Sequence, residues 1–251
     1  FLDAVMGDFI QKLEDMRDSE DPEKRLGFSF MERAYNFAKA NRALGLGVLG
    51  WHSLLQAKKL SFESDEAMAL NVEVFKLIKE QADEATKALA KELGEPEVLK
   101  GYGRRNTTLL AIAPTTSSAF ILGQVSQGIE PIWSNCYMKD VAKMKITIKN
   151  LTLQALLVEK GKDTKEVWDS IRDADGSVQH LDFLTIEERE VFRTFAEIDQ
   201  AVVIKQAADR QVHIDQGQSL NIMVAPSTPV KDINQLYINA WKQGIKSLYY
   251  Q

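Results

Sequence analysis

Strand candidates alternate with amphipathic helix candidates along this 251-residue chain, and this alternation constrains the fold most. Apolar residues recur at helical spacing in a long segment, 64–93, while residues 107–113 form an apolar run that Pro114 stops. Because strands separated by helices usually pair in parallel, we predict an α/β fold. The other predicted helices cover 1–17, 22–44, 150–160, 165–172, 185–209 and a stretch from 227–229 to 243, and the other predicted strands cover 137–149, 219–224 and 245–250.

The composition excludes several classes of protein. A net charge of −5 and a pI of about 5.4 argue against a broad nucleic-acid surface. No apolar run approaches the roughly 18 residues of a membrane span. The single cysteine, Cys136, cannot form an internal disulfide, which favours a reducing, cytoplasmic setting. The start at Phe1 and the abrupt aromatic end at Gln251 suggest cuts in a longer chain.

Three glycines, Gly45, Gly47 and Gly50, match the G-x-G-x-x-G pattern of dinucleotide-binding loops. That pattern needs a preceding strand, whereas residues 34–43 are helix formers. We therefore predict a tightly packed strand here, whose glycines admit neighbouring backbone.

Other polar features favour structural roles. Residues 103–106 (Gly-Arg-Arg-Asn) predict a surface turn. The segment Gly128-Ile129-Glu130-Pro131 could orient a loop, but an isolated Glu is usually solvated, so Glu130 is predicted to be solvated. Cys136 has no partner cysteine or nearby histidine, so it is predicted to be a free structural thiol. Metal-ligand spacing is lacking among the three histidines, so no metal site is predicted. These are His52, His180 and His213.

The segment Pro114-Thr115-Thr116-Ser117-Ser118 gives the sharpest functional signal. Four consecutive hydroxyl residues follow an apolar strand candidate and precede an apolar stretch. Hydroxyls and free N–H groups at a helix start suit a phosphate. The alternative is a cluster of N-cap residues that only starts a helix, and composition alone leaves both readings open.

The last predicted strand carries two adjacent phenols, Tyr249 and Tyr250. Adjacent strand residues point to opposite faces of a sheet. Such a pair usually contributes one core and one surface aromatic, so the pair alone does not indicate a redox role.

An ordered set of segments, from Arg42 to the end of the chain, resembles the large subunit of class I ribonucleotide reductase. No single segment is decisive, but their order and spacing are specific to the family. They are Arg42–Gly50, Arg105–Leu109, Ala113–Ser118, Ile121–Gly123, Ile129–Pro131, Asp215-Gln216, Gln218–Asn221, Trp241–Gly244, Lys246 and Leu248–Gln251.

The resemblance implies the second half-barrel of a ten-stranded α/β barrel with flanking helices. Residues 1–251 would then form the C-terminal part of the catalytic barrel domain, incomplete alone. It implies that residues Pro114, Thr115, Thr116, Ser117 and Ser118 bind the substrate diphosphate. It also implies that Tyr249 and Tyr250 pass a radical between the small subunit and an active-site cysteine.

The family's cysteine contexts are absent here, and Cys136 matches none of them. The resemblance therefore implies a partner that supplies the N-terminal half of the large subunit. It also implies a small subunit that holds a diiron or other dimetal centre with a tyrosyl radical, while this chain binds no cofactor. Ribonucleoside diphosphates would be the substrates, and thioredoxin or glutaredoxin would act indirectly. Neither a membrane nor a nucleic-acid partner is expected.

Two alternatives remain at this point. The chain could be a non-catalytic paralogue that binds phosphate or nucleotides. It could also come from an adenosylcobalamin-dependent or glycyl-radical reductase, although the adjacent Tyr249 and Tyr250 argue against these. A half-barrel should expose strand edges and an apolar face, so we expect the isolated chain to be poorly soluble or tightly bound to its other half.

Overall fold

Helices dominate the computed structural model of the chain, which describes residues 1–141 and 144–249. Within these residues, no helix is sufficiently long and apolar to span a lipid bilayer. The helices are α1 Leu2–Arg17, α2 Pro22–Asn41, α3 Trp51–Ala57, α4 Asp65–Leu93, α5 Thr116–Ile121, α6 Leu151–Glu159, α7 Lys165–Asp173, α8 Ile186–Val191, α9 Gln200–Gln211 and α10 Val230–Lys242, with 3₁₀ turns at Glu97–Leu99 and Phe195–Glu197.

The chain divides into two compact units, each built from separate stretches of sequence. The first unit contains Phe1–Leu46, Phe75–Ala111 and His213–Gln216. The second unit contains Gly47–Val74, Ile112–Val212 and Gly217–Gln251.

Local capping residues explain several helix boundaries. The Asp21 carboxylate accepts the Glu23 N–H at 2.8 Å, and Pro22 occupies the first position of α2. Helix α4 ends at Gly94, whose φ of +82° is left-handed and whose N–H bonds to Ala90 O. Helix α10 begins directly after Pro229. The helix predicted over 64–93 and the helix start predicted at 227–229 are confirmed.

The continuous helix predicted over residues 185–209 is wrong. Thr185 caps α8, the Thr194 hydroxyl pairs with Glu197 around a 3₁₀ turn, and Asp199 caps α9. Each cap offers its side chain to backbone N–H groups and so begins a new element. Helix α3 was not predicted from the sequence.

Extended segments of the first unit pair through an isolated bridge and not as a regular sheet. Leu46 and Leu110 form one isolated parallel bridge. The Asp215 carboxylate accepts the N–H groups of Leu109 and Leu110 at 2.7 and 2.9 Å. Since a side chain takes these donors, they are not available to a neighbouring strand, and the regular strand predicted over 107–113 is wrong.

The second unit has the same kind of pairing. Ile112 forms an isolated parallel bridge with Gln218, and the Tyr249 N–H donates to Leu220 O at 2.8 Å. No regular strand covers 219–224 or 245–249, so these two predicted strands are also wrong over the described residues. The bridges nevertheless run in parallel, as the sequence predicted.

A β-hairpin in the second unit is the regular sheet of the described residues. Strand β1, Cys136–Val141, pairs in antiparallel fashion with β2, Met144–Lys149. The single strand predicted over 137–149 is therefore wrong, because a run this long exceeds a usual strand and folds back on itself. Cys136 packs in a core with residues of α6 and α7, including Leu153, Leu157 and Trp168.

Candidate functional site

The hydroxyl-rich segment forms a sharp turn into α5 in the second unit. Thr115 has a left-handed φ of +55°, a conformation that costs a threonine free energy. The first helical bond runs from the Ala119 N–H to Thr115 O at 2.8 Å. The N–H groups of residues 116–118 thus precede the first bonded turn and are available to an acceptor.

The hydroxyls of this turn divide into two sets. Thr115 Oγ1 accepts the Gly128 N–H at 2.8 Å, and Thr116 Oγ1 donates to Gln127 Oε1 at 3.2 Å. Ser117 and Ser118 are exposed, and their hydroxyls make no hydrogen bond with any residue that the structure describes. The first pair of hydroxyls thus holds the turn, whereas the second pair faces solvent. Pro114 is also exposed.

Gly128 brings the following loop against the turn. Its φ of +48° is left-handed, and a Cβ built on it would lie 3.1 Å from Ala113 O. A larger residue would push the loop away and weaken the bond to Thr115.

Glu130 is buried, so the prediction that it is solvated is wrong. The residue is 5% exposed. Glu130 Oε1 accepts the Asn221 backbone N–H at 2.7 Å, and Oε2 accepts Asn221 Nδ2 at 3.1 Å. Burial raises the pKa of the Glu130 carboxyl, although the two bonds from Asn221 oppose that change.

Of the two predicted relay tyrosines, Tyr249 lies within the described residues. Tyr249 is half-exposed, and its N–H anchors the C-terminal segment to Leu220. Tyr250 lies outside the described residues.

The surface turn predicted at 103–106 is present only at Gly103, which is exposed, because Arg105 and Asn106 join a buried ionic network in the first unit. Asp3, 4% exposed, accepts Arg42 Nε at 2.8 Å and Arg105 Nε at 2.9 Å. Asn106 Nδ2 donates to the same carboxylate at 2.9 Å. Burial raises the pKa of Asp3, but these hydrogen bonds outweigh it and lower the pKa to about 2.

His52, a possible metal ligand by residue type, and the single thiol, Cys136, both lie in the core of the second unit. His52 is fully buried, and its Nδ1 accepts the Ile132 N–H at 2.9 Å. Burial lowers the pKa of His52 to about 3. Cys136 is 2% exposed, and burial raises the pKa of its thiol. Across residues 1–141 and 144–249, no group of His, Cys, Asp or Glu side chains is placed to hold a metal ion.

The glycine pattern near α3 has a packing role. A Cβ on Gly45 would lie 3.2 Å from Ala111 Cβ. Gly50 has a φ of +79°, begins α3 and donates its N–H to Ser126 O at 2.8 Å. The close packing at Gly45 agrees with the prediction. The predicted strand is wrong, because residues 45–50 form only an isolated bridge at Leu46 before α3 opens at Gly50.

The sequence did not indicate Asp3, Asp215 and Asn221 as bonding partners of distant residues. A weak signal existed for Glu130, since it stands between Ile129 and the Pro131-Ile132 pair, and apolar neighbours favour burial. Partners that lie about 40 to 100 residues away leave no such local signal.

Comparison with known proteins identifies the class. The family model described as "Ribonucleotide reductase, barrel domain" matches residues 25–101 and 96–251. The chain therefore belongs to the ribonucleotide reductase barrel-domain family. This membership and the likeness to a solved reductase subunit confirm the predicted α/β barrel class.

The individual relatives are large subunits of these reductases. The chain is 42% identical to the ribonucleoside-diphosphate reductase large subunit of Invertebrate iridescent virus 6, over 88% of this chain and 23% of the relative. It is 43% identical to a putative large subunit of Frog virus 3, over 87% and 38%. The solved class Id ribonucleotide reductase alpha subunit of Actinobacillus ureae has 53% identity and a TM-score of 0.86, over 99% and 44%. The chain thus spans less than half the length of these relatives.

Proposed function

We propose that this chain is the C-terminal portion of the catalytic subunit of a ribonucleoside-diphosphate reductase. In this role it binds the diphosphate of the substrate and relays a radical during reduction to the deoxyribonucleotide. Family membership and the names of the relatives support the reaction class.

One observation carries the substrate role: two unbonded serine hydroxyls lie beside open helix N–H groups. Ser117 and Ser118 are exposed next to the N–H groups of residues 116–118. Thr115 and Gly128 hold these donors in place. Several neutral donors that converge on one point suit a diphosphate, and orientation is the main contribution of such a site.

The relay role belongs to Tyr249 and Tyr250. Its support is the family resemblance, together with the half-exposed position of Tyr249 and its backbone anchor to Leu220. Transfer between phenols needs close spacing on a rigid element, and the anchor supplies part of that rigidity.

The proposed role requires partners. The N-terminal half of the large subunit would supply the active-site cysteines, since the buried Cys136 is not accessible to substrate. A small subunit with its dimetal centre and tyrosyl radical would generate the radical. Thioredoxin or glutaredoxin would restore the reduced cysteines, and the cytoplasm provides the matching redox conditions.

The test is a reconstituted reductase assay with the N-terminal half and the small subunit. Replacing Ser117 and Ser118 together by Ala should raise the KM for the diphosphate about tenfold or more, as expected when charge-assisted hydrogen bonds are lost. The exposed Ser29→Ala is the matched control and should leave the KM unchanged. An unchanged KM in the double variant would refute the phosphate role.

The relay has a separate test. Tyr249→Phe should abolish turnover while diphosphate binding is retained, whereas Tyr102→Phe, at a 75% exposed phenol, should be active. Turnover by Tyr249→Phe would overturn the relay assignment. A wild-type assembly that binds diphosphates but never reduces them would instead favour the non-catalytic alternative.

A further inference from the structure

A buried carboxylate connects the two parts of the proposed site. Gly128, two residues before Glu130, donates its N–H to the turn at Thr115. Glu130 itself accepts both donors of Asn221, at 2.7 and 3.1 Å. These bonds tie the loop 124–131 to the segment that contains Asn221.

The connection to the tyrosine continues from Leu220, the residue directly before Asn221. Leu220 O accepts the Tyr249 N–H at 2.8 Å. A short series of hydrogen bonds and covalent steps therefore leads from the phosphate turn to the tyrosine, and Glu130 lies at its midpoint.

A carboxylate is an unusual side chain for a buried residue whose only role is to pack the interior. It is 5% exposed and forms no ion pair with the described residues. Burying a carboxyl is unfavourable unless its oxygens are well bonded, so an apolar side chain would be the more stable filler. A carboxylate, however, offers two oxygens to the two converging donors of Asn221, and it accepts stronger bonds than an amide.

We propose that Glu130 is a positioning residue of the reductase, which sets the phosphate turn relative to the segment that anchors Tyr249. This inference rests on the proposed function. Loss of Glu130 would displace both parts of the site, since each is fixed through the loop or the segment that the carboxylate joins.

A pair of substitutions at Glu130 and Asn221 can separate a positioning role from a contribution to stability alone. Asn221 Oδ1 is buried and has no hydrogen-bond partner among the described residues. In the double variant Glu130→Gln with Asn221→Asp, the glutamine amide can donate to the new carboxylate, while its oxygen still accepts the backbone N–H. The exchange restores both bonds with their side-chain polarity reversed.

The experiment measures KM and kcat for a ribonucleoside diphosphate in the complete assembly with its small subunit. Glu130→Ala should raise the KM and lower the kcat, each about tenfold or more, and the exchanged pair should recover most of both. Glu63→Ala is the matched control, because Glu63 also accepts one backbone N–H, from Asp199, and one side-chain donor, from Arg193. The control should change neither constant.

The outcomes are distinct. If Glu130→Ala lowers only the melting temperature, with KM and kcat unchanged per folded molecule, the positioning role is refuted. Failure of the exchanged pair to recover activity, when it folds as stably as the wild type, would also refute it. If the wild-type assembly shows no diphosphate reduction at all, the proposed function fails, which is a separate result from either of these.

Discussion

Replacing Asp3 by Asn tests whether the ionic network holds the first unit together. The Asp3 carboxylate bonds to the guanidinium groups of Arg42 and Arg105, whose side chains are 10% and 13% exposed. The variant leaves two buried cations without their anion, and breaking a buried pair in this way costs about 3–5 kcal/mol of unfolding free energy. Asp8→Asn, which removes an exposed ion pair with Lys12 on the same helix, should cost less than about 0.5 kcal/mol.

The pH dependence of stability gives a second value for the unfolding free energy that Asp3 contributes. The pKa of Asp3 falls from 3.8 to about 2 on folding, which corresponds to roughly 2.5 kcal/mol. Because the folded pKa is lowered, this contribution is complete above pH 4 and is lost as the pH falls towards 2. The difference between the wild type and Asp3→Asn should shrink over the same range.

Urea denaturation is the assay, performed on the chain assembled with the segment that completes its barrel. Unfolding free energies are compared at equal m-values, so that only stability is measured. A loss below about 1 kcal/mol in Asp3→Asn, or one equal to that of Asp8→Asn, would refute the reasoning that this network is buried and paired.

Three further predictions follow from the second unit. Gly128→Ala should raise the KM for diphosphate several-fold, because its Cβ would crowd Ala113 O; steady-state kinetics with an unchanged KM would contradict this. Since burial keeps the pKa of His52 near 3, the unfolded state binds a proton first, and stability should fall by about 1.4 kcal/mol per pH unit from 6.5 towards 3. Denaturation of His52→Gln should lack this slope. In urea denaturation, Arg210→Ala should lower the unfolding free energy by about 1–3 kcal/mol, because it leaves the buried Asn71 Oδ1 without the Arg210 donor; a loss below about 0.5 kcal/mol would contradict this.

The sequence predicted those parts of the structure that depend on near neighbours. The cap at Gly94, the helix start at Pro229 and the turn at Pro114 all follow from backbone preferences within a few residues. Helix α3 has only seven residues, which is too short for a clear period, so it was missed.

The errors at Glu130, at Arg105 and over residues 107–113 share one physical cause, which is bonding between distant residues. Glu130 and Arg105 carry charges that local rules place at the surface, yet their partners, Asn221 and Asp3, lie 91 and 102 residues away. The strand predicted over 107–113 failed for the same reason, since Asp215 takes its backbone donors. Such partners become visible only once the chain is folded.

The discontinuous first unit has a consequence for synthesis on the ribosome. Its last stretch, His213–Gln216, contributes the Asp215 carboxylate that binds the extended segment near Leu110. At about 5–20 residues per second, translation from residue 1 to residues 213–216 takes on the order of ten to forty seconds. During this interval the nascent unit lacks a bonding partner, and the second unit is still being translated. The first unit therefore cannot be completed until most of the second unit has been translated, and nascent-chain aggregation should be greatest before residues 213–216 emerge.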